Sequence, residues 1–261
     1  MQLLLKNKYI LDLVATIMFF TRIPVNWSFF SNKAPDLTRA VWAFPIAGFL
    51  IGILSGSVGD FLINLGLPNF LSCVIAIALS VILTGAFHED GLADTADGIG
   101  AGGTPSRINK IIHDSRLGTY GVISLVLGLL IRLGLILTLV ENGYSLIFIL
   151  SIGFASGKLA IIFTRKFFNQ SKFAKIGSII GTISPKKFFL ATLIWILPAL
   201  TIFPFYGILL GIVFMISLSL IIGFKSKKAL GGITGDILGA VAFSTELVFL
   251  FGNIIVITVA N

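Results

Sequence analysis

Five of the eleven acidic residues fall within 26 positions: Glu89, Asp90, Asp94, Asp97 and Asp114. On a helix, positions 90, 94 and 97 are spaced i, i+4 and i+7 and share one face. Three carboxylates on one face repel one another unless a cation sits among them. Oxygen donors with no cysteine and a single nearby histidine, His88, predict Mg²⁺ or Mn²⁺ rather than zinc. Glu89, about 100° round the helix from Asp90, is the weakest ligand of the run. The bland alternative is a solvated acidic loop at a surface. Against it, the acids directly abut the end of an apolar stretch and lie among strongly cationic segments.

Two glycine-rich segments supply a second kind of chemistry. Gly100-Ala101-Gly102-Gly103 precedes Thr104-Pro105, an N-cap and N1 pair that predicts a short helix ending near His113. Asp114-Ser115-Arg116-Leu117-Gly118 follows. Backbone N–H groups of a glycine turn and an arginine fork suit phosphate. Further on, Gly231-Gly232-Ile233-Thr234-Gly235-Asp236 opens the last apolar stretch. There a helix N-terminus suits phosphate and Asp236 can complete a metal shell; a plain turn with a capping aspartate is the competing reading.

These residues must be positioned by membrane helices. The chain has 261 residues, 56% apolar and 11% charged, where a soluble domain carries roughly 25% charged residues. Its mean hydropathy is +1.04, and a lipid bilayer is the solvent that such a surface requires. Seven apolar runs, 41–63, 67–87, 119–140, 145–164, 188–203, 207–223 and 237–259, predict an all-α polytopic integral membrane protein. Pro198 and Pro204 mark the junction of the short fifth and sixth runs as a tight hairpin of kinked or tilted helices. Ile10–Phe20 is too short to span and has no A-x-A cleavage site after it, so it reads as an interfacial or re-entrant helix. One domain, 1–261, accounts for the whole sequence.

Nineteen Lys and Arg against eleven Asp and Glu give +8, a balance that in a soluble protein suggests nucleic acid. Topology explains it better here, and no nucleic-acid partner is expected. Seventeen of the nineteen, from Lys6 and Lys8 to Lys228, fall on one side of the seven runs, and the opposite loops 64–66, 141–144 and 204–206 have none. The positive-inside rule then places the N-terminus, the acidic run and any active site in the cytoplasm, and the C-terminus outside. The lone Cys73 allows neither an internal disulfide nor a cysteine metal site. Arg132, Lys158 and Glu246 lie inside predicted spans, where charges are costly and mark paired or functional positions. Lys158 and Glu246 are near enough in depth to pair; Arg132 reads as a structural partner or a snorkelling side chain.

Several of these motifs together resemble the cobalamin synthase family, adenosylcobinamide-GDP ribazoletransferase or cobalamin 5′-phosphate synthase. They are Thr21-Arg22-Ile23-Pro24, Phe44-Pro45-Ile46-Ala47-Gly48, His88-Glu89-Asp90-Gly91-Leu92-Ala93-Asp94 with Asp97-Gly98, Asp114-Ser115-Arg116-Leu117-Gly118 and Gly232-Ile233-Thr234-Gly235-Asp236. The resemblance implies a Mg²⁺-dependent enzyme of the cell membrane. It would join adenosylcobinamide-GDP to α-ribazole, or to α-ribazole 5′-phosphate, and release GMP. On that footing Asp90, Asp94 and Asp97 are expected to hold Mg²⁺, with Asp114 and Asp236 as further ligands. Arg22, Arg116, Lys158 and Thr234 are the expected substrate contacts, and His88 or an aspartate such as Asp97 the catalytic proton acceptor. The sequence leaves a homo-oligomer open. The rival reading is a secondary transporter or cation channel, which would want its acids near the bilayer midplane and shows itself in inverted repeats; none is evident.

Overall fold

A computed structural model describes residues 7–174 and 181–260. Lys6 and Lys175, two of the cations used above to orient the chain, lie outside the described residues. The described residues form ten α-helices and a separate 3₁₀ turn at Trp27–Phe29. The helices are α1 (Lys8–Phe20), α2 (Leu37–Asn64, with a 3₁₀ turn at Val41–Ala43), α3 (Asn69–Thr84), α4 (Phe87–Ala101), α5 (Pro105–Ile112), α6 (Thr119–Glu141), α7 (Leu146–Phe167), α8 (Pro185–Ile202), α9 (Phe205–Leu230) and α10 (Gly235–Ala260). Six of them (α2, α6, α7, α8, α9 and α10) are long and apolar enough to cross a membrane. The second predicted span, 67–87, is not one straight helix: α3 stops at Thr84, and α4 leaves it at 85°. Gly85 and Ala86, with φ of +65° and +58°, make that break. Counted as one broken span, α3 and α4 restore the expected seven.

The fifth and sixth spans are longer than their apolar runs, because Lys186 and Lys187 begin α8 and Lys225 to Lys228 end α9 as helix. Lysines in the last turn suit the negative end of the helix dipole. Pro198 sits inside α8, and Pro204 is the N-cap of α9.

The bundle is built round α7, in which 83% of the apolar window is buried. Glycines make its closest contact. Gly48, Gly52 and Gly56 stand four apart on α2, and a Cβ at each would overlap the backbone at Ala155, Ser151 and Ile147 of α7 respectively. The descending order on α7 makes the pair antiparallel. Small residues at this spacing let helices associate in lipid, where apolar burial gives no advantage over the bilayer. Asp60 ties the far end: its carboxylate accepts from the Ser145 hydroxyl, from Leu146 N at 2.8 Å and from Ile147 N at 3.1 Å, capping α7. Gly52→Leu should therefore separate α2 from α7. A fall of several degrees in the thermal midpoint of the detergent-purified protein is expected, with an unchanged midpoint counting against this packing.

The N-terminal helix α1 is packed into the bundle: Phe20 is fully buried, its ring edge-on to Phe44 at 4.8 Å. Asp12, also buried, accepts from Arg39 Nε at 2.5 Å and Trp42 Nε1 at 2.9 Å, fastening α1 to the start of α2.

Candidate active site

The acidic run folds as α4, and α10 fixes where it lies. Gly91 lets the two helices cross closely, since a Cβ there would stand 2.7 Å from the Asp236 carbonyl. The crossing brings Asp90 and Asp94 to the same side as Asp236. Together with Glu89, His113, Asp114 and Ser115 they line a cleft of about 590 Å³. No lysine or arginine lines it.

The loop side of the cleft forms as its sequence predicts. Thr104 caps α5 by accepting from Arg107 N, and the helix ends at His113, whose Nδ1 lies 2.9 Å from the Asn109 carbonyl. Asp114 follows, and its carboxylate is bound by Arg116 through Nε at 3.1 Å, Nη2 at 2.9 Å and the backbone N at 3.1 Å. That guanidinium holds the Asp114 carboxyl down to about 2, so Asp114 remains ionised throughout the physiological range. Both side chains are open to solvent, and Arg116 is 87% exposed.

Asp97 does not join the others at the cleft. One turn beyond Asp94 on the same face, it meets the start of α6, accepting from Gly118 N at 2.7 Å and Gly121 N at 2.8 Å. A Cβ at Gly118 or Gly121 would collide with this carboxylate. The face predicted from the i, i+4, i+7 spacing thus exists, but the first-turn N–H groups of α6, which have no partner within their own helix, take its last member. No three His, Cys, Asp or Glu side chains among the described residues are gathered closely enough to hold a metal ion as they stand. The donor set nevertheless suits Mg²⁺ in kind: three carboxylates from two helices face one cleft that offers them no lysine or arginine.

The remaining expected site residues fall in three places. Arg22 is exposed, with its backbone N bonded to the Leu83 carbonyl at 2.6 Å, and its side chain lies over Gly85, next to Ala86 on the cleft wall. Thr234 is 2% exposed and stands at the N-terminal end of α10, its hydroxyl 3.5 Å from Ile237 N and 3.4 Å from an Asp236 carboxylate oxygen. His88 and Lys158 are buried behind the cleft.

That interior holds a charge cluster. Arg132, 2% exposed, donates from Nη1 to Glu89 at 2.7 Å and from Nη2 to Glu246 at 2.9 Å, with its guanidinium 4.1 Å above the Phe243 ring centroid. Arg132 is thus a structural partner, and it does not snorkel. It also takes the direct bond to Glu246 that the sequence offered to Lys158. Lys158 instead lies over the Phe20 and Phe154 rings, 5.4 and 5.9 Å from their centroids. Glu89, the weakest expected ligand, serves this cluster. With Glu89 beside Arg132, Leu92 beside Gly128 and Asp97 at Gly118, α4 runs antiparallel to the first half of α6.

His113 and Ser115 were not singled out from the sequence, although both belong to the stretch around Asp114. The available signal was their contiguity with the Asp114-Ser115-Arg116 motif, since a helix C-cap must present the next residues together.

Comparison with known proteins agrees over nearly the whole chain. A family model described as cobalamin-5-phosphate synthase matches residues 12–254. The adenosylcobinamide-GDP ribazoletransferase of Azorhizobium caulinodans is 35% identical over 261 aligned residues, covering 95% of this chain and 97% of that protein. The protein of the same name from Clostridium botulinum strain Langeland is 36% identical over 251 residues, covering 92% and 95%. No solved structure shows significant similarity to the chain.

Proposed function

Since the chain belongs to the cobalamin-5-phosphate synthase family, an enzyme family of cobalamin synthesis, we propose that it transfers the cobinamide-bearing phosphoryl group of adenosylcobinamide-GDP to a ribose hydroxyl of α-ribazole or its 5′-phosphate. One P–O bond forms to that hydroxyl, the P–O bond to GMP breaks, and the hydroxyl proton passes to a base. The observation that carries the reading is a cleft lined by several carboxylates and no lysine or arginine. A diphosphate can enter it only if positive charge enters as well. Asp90, Asp94 and Asp236 would hold Mg²⁺, which when bound neutralises the diphosphate and the leaving phosphate.

This chain's own groups do the rest. His113 at the cleft edge, or a cleft carboxylate left free, accepts the hydroxyl proton within hydrogen-bond reach. Arg116, held at the rim by Asp114, and Arg22, across the α3–α4 break, are placed to meet phosphate approaching from solvent. Lys158 and Thr234 support the site from behind its wall. The partition of basic residues supports a cytoplasmic opening for the cleft.

The test uses protein purified into lipid and supplied with Mg²⁺, adenosylcobinamide-GDP and α-ribazole. GMP and cobamide are expected in equal amounts, with both lost on chelation and restored by Mg²⁺. Absence of GMP from folded protein overturns the reading.

A further inference from the structure

A second pocket adjoins the acidic cleft and shares two of its residues, Asp90 and Asp236. Its other walls are the rings of Phe19, Phe20, Phe87 and His88, together with Ile161, Leu238 and the bare backbone at Gly235 and Gly239. The rings come from α1 and α4 and brace one another: Phe19 meets Phe87 edge-on at 5.4 Å, and His88 stacks on Phe20 at 5.9 Å and 16°. His88 Nε2 is buried without a hydrogen-bond partner among the described residues, a state that usually marks a group awaiting a ligand or an ordered water.

We propose that this pocket receives the edge of the planar aromatic base of the acceptor nucleoside, leaving its ribose at Asp90 and Asp236. The inference rests on the acceptor named under the proposed function. Three observations select that occupant. Flat rings and aliphatic groups form most of the wall, which suits stacking. The pocket measures about 60 Å³, and at roughly 10–15 Å³ per water-sized group it takes about four to six heavy atoms. That is the methylated edge of a benzimidazole and not a nucleotide. Asp90 and Asp236 line both this pocket and the cleft, so a base inserted edge-first with its sugar toward them carries the hydroxyls to the reacting phosphate. Guanine, the other base in the reaction, carries polar groups around its ring, and the phenyl rings and aliphatic side chains that form most of this wall give them no partner.

The experiment is a competition, in one reaction, between α-ribazole and the α-riboside of unsubstituted benzimidazole. The product ratio is independent of how much protein is folded. Phe19 is only half-buried, so Phe19→Ala, with Phe19→Leu as the milder variant, is the informative change. Phe19→Ala should shift the ratio at least five-fold while the KM for adenosylcobinamide-GDP stays within two-fold. A ratio within two-fold of wild type overturns the proposal. So does a KM for adenosylcobinamide-GDP that rises with that of the acceptor, which would put guanine in the pocket. Binding of α-ribazole alone, followed by its own fluorescence, separates the two readings. If wild type binds it and Phe19→Ala binds at least five-fold more weakly, the pocket stands even where no GMP is formed; equal binding removes it.

Discussion

Asp94→Asn should reduce GMP release by about 10³-fold or more, on the order of 4 kcal/mol of transition-state stabilisation, while leaving the protein inserted and as heat-resistant as wild type. Asp94 lines the cleft and forms no salt bridge among the described residues. Exchanging its charge for an amide of the same shape removes an oxygen donor for the proposed cation without opening a cavity. Asp97→Asn has a different expected profile, because both Asp97 oxygens accept from the start of α6. An amide offers one oxygen and turns an NH₂ toward a backbone donor. The loss of this cap should cost about 1–2 kcal/mol, and turnover should fall with it as α6 shifts. Measuring kcat and the thermal midpoint for both variants in one detergent separates the roles: Asp94→Asn moves kcat alone, and Asp97→Asn moves both. Near-normal turnover in Asp94→Asn would remove that residue from the site.

The same separation explains where the protein keeps its charge. Arg132 and Lys158 are balanced within the bundle by Glu89 and Glu246, so this buried cluster is formally neutral. The +8 excess therefore belongs to the loops and helix ends. The cleft is the exception: Asp90, Asp94 and Asp236 form no salt bridge among the described residues, and Arg132 is taken by Glu89 and Glu246. An acidic cleft in a basic protein can draw in a divalent cation while the surrounding loops attract the phosphates of its substrates.

Local features were legible in the sequence wherever one element determines them. Thr104-Pro105 opens α5 and His113 ends it because cap chemistry acts within one turn. The apolar runs found the spans because a bilayer demands long helices. What escaped was whatever a second element decides. Periodicity puts Asp97 on the face of Asp90 and Asp94, yet it does not know that α6 begins one turn further along. Hydropathy joined 67–87 into one span because Leu83, Ala86 and Phe87 are as apolar as their neighbours; the break depends on two consecutive left-handed residues, one of them an alanine. His113 and Ser115 have no periodic signature, and only the folding of α5 against the cleft shows their position.

Arg132→Met should destabilise the bundle by about 3–5 kcal/mol, since it leaves Glu89 and Glu246 buried with no guanidinium between them. Coulomb attraction inside lipid is strong, but two carboxylates facing one lysine are worse off than one. Lys158 interacts electrostatically with both glutamates and can balance a single charge. Adding Glu89→Gln to Arg132→Met leaves Glu246 opposite Lys158, so this double variant is expected to recover a substantial part of the loss. The measurement is the yield of folded protein in membranes together with the thermal midpoint after purification. A wild-type midpoint in Arg132→Met would show that the cluster contributes nothing net. The order of stability, wild type above the double variant above Arg132→Met, is what a neutral buried cluster requires, because the penalty follows the unpaired charge and not the number of substitutions. Turnover should fall in both variants, since Glu89 precedes Asp90 on α4 and the bond to Arg132 that sets the register of that helix against α6 is lost in each.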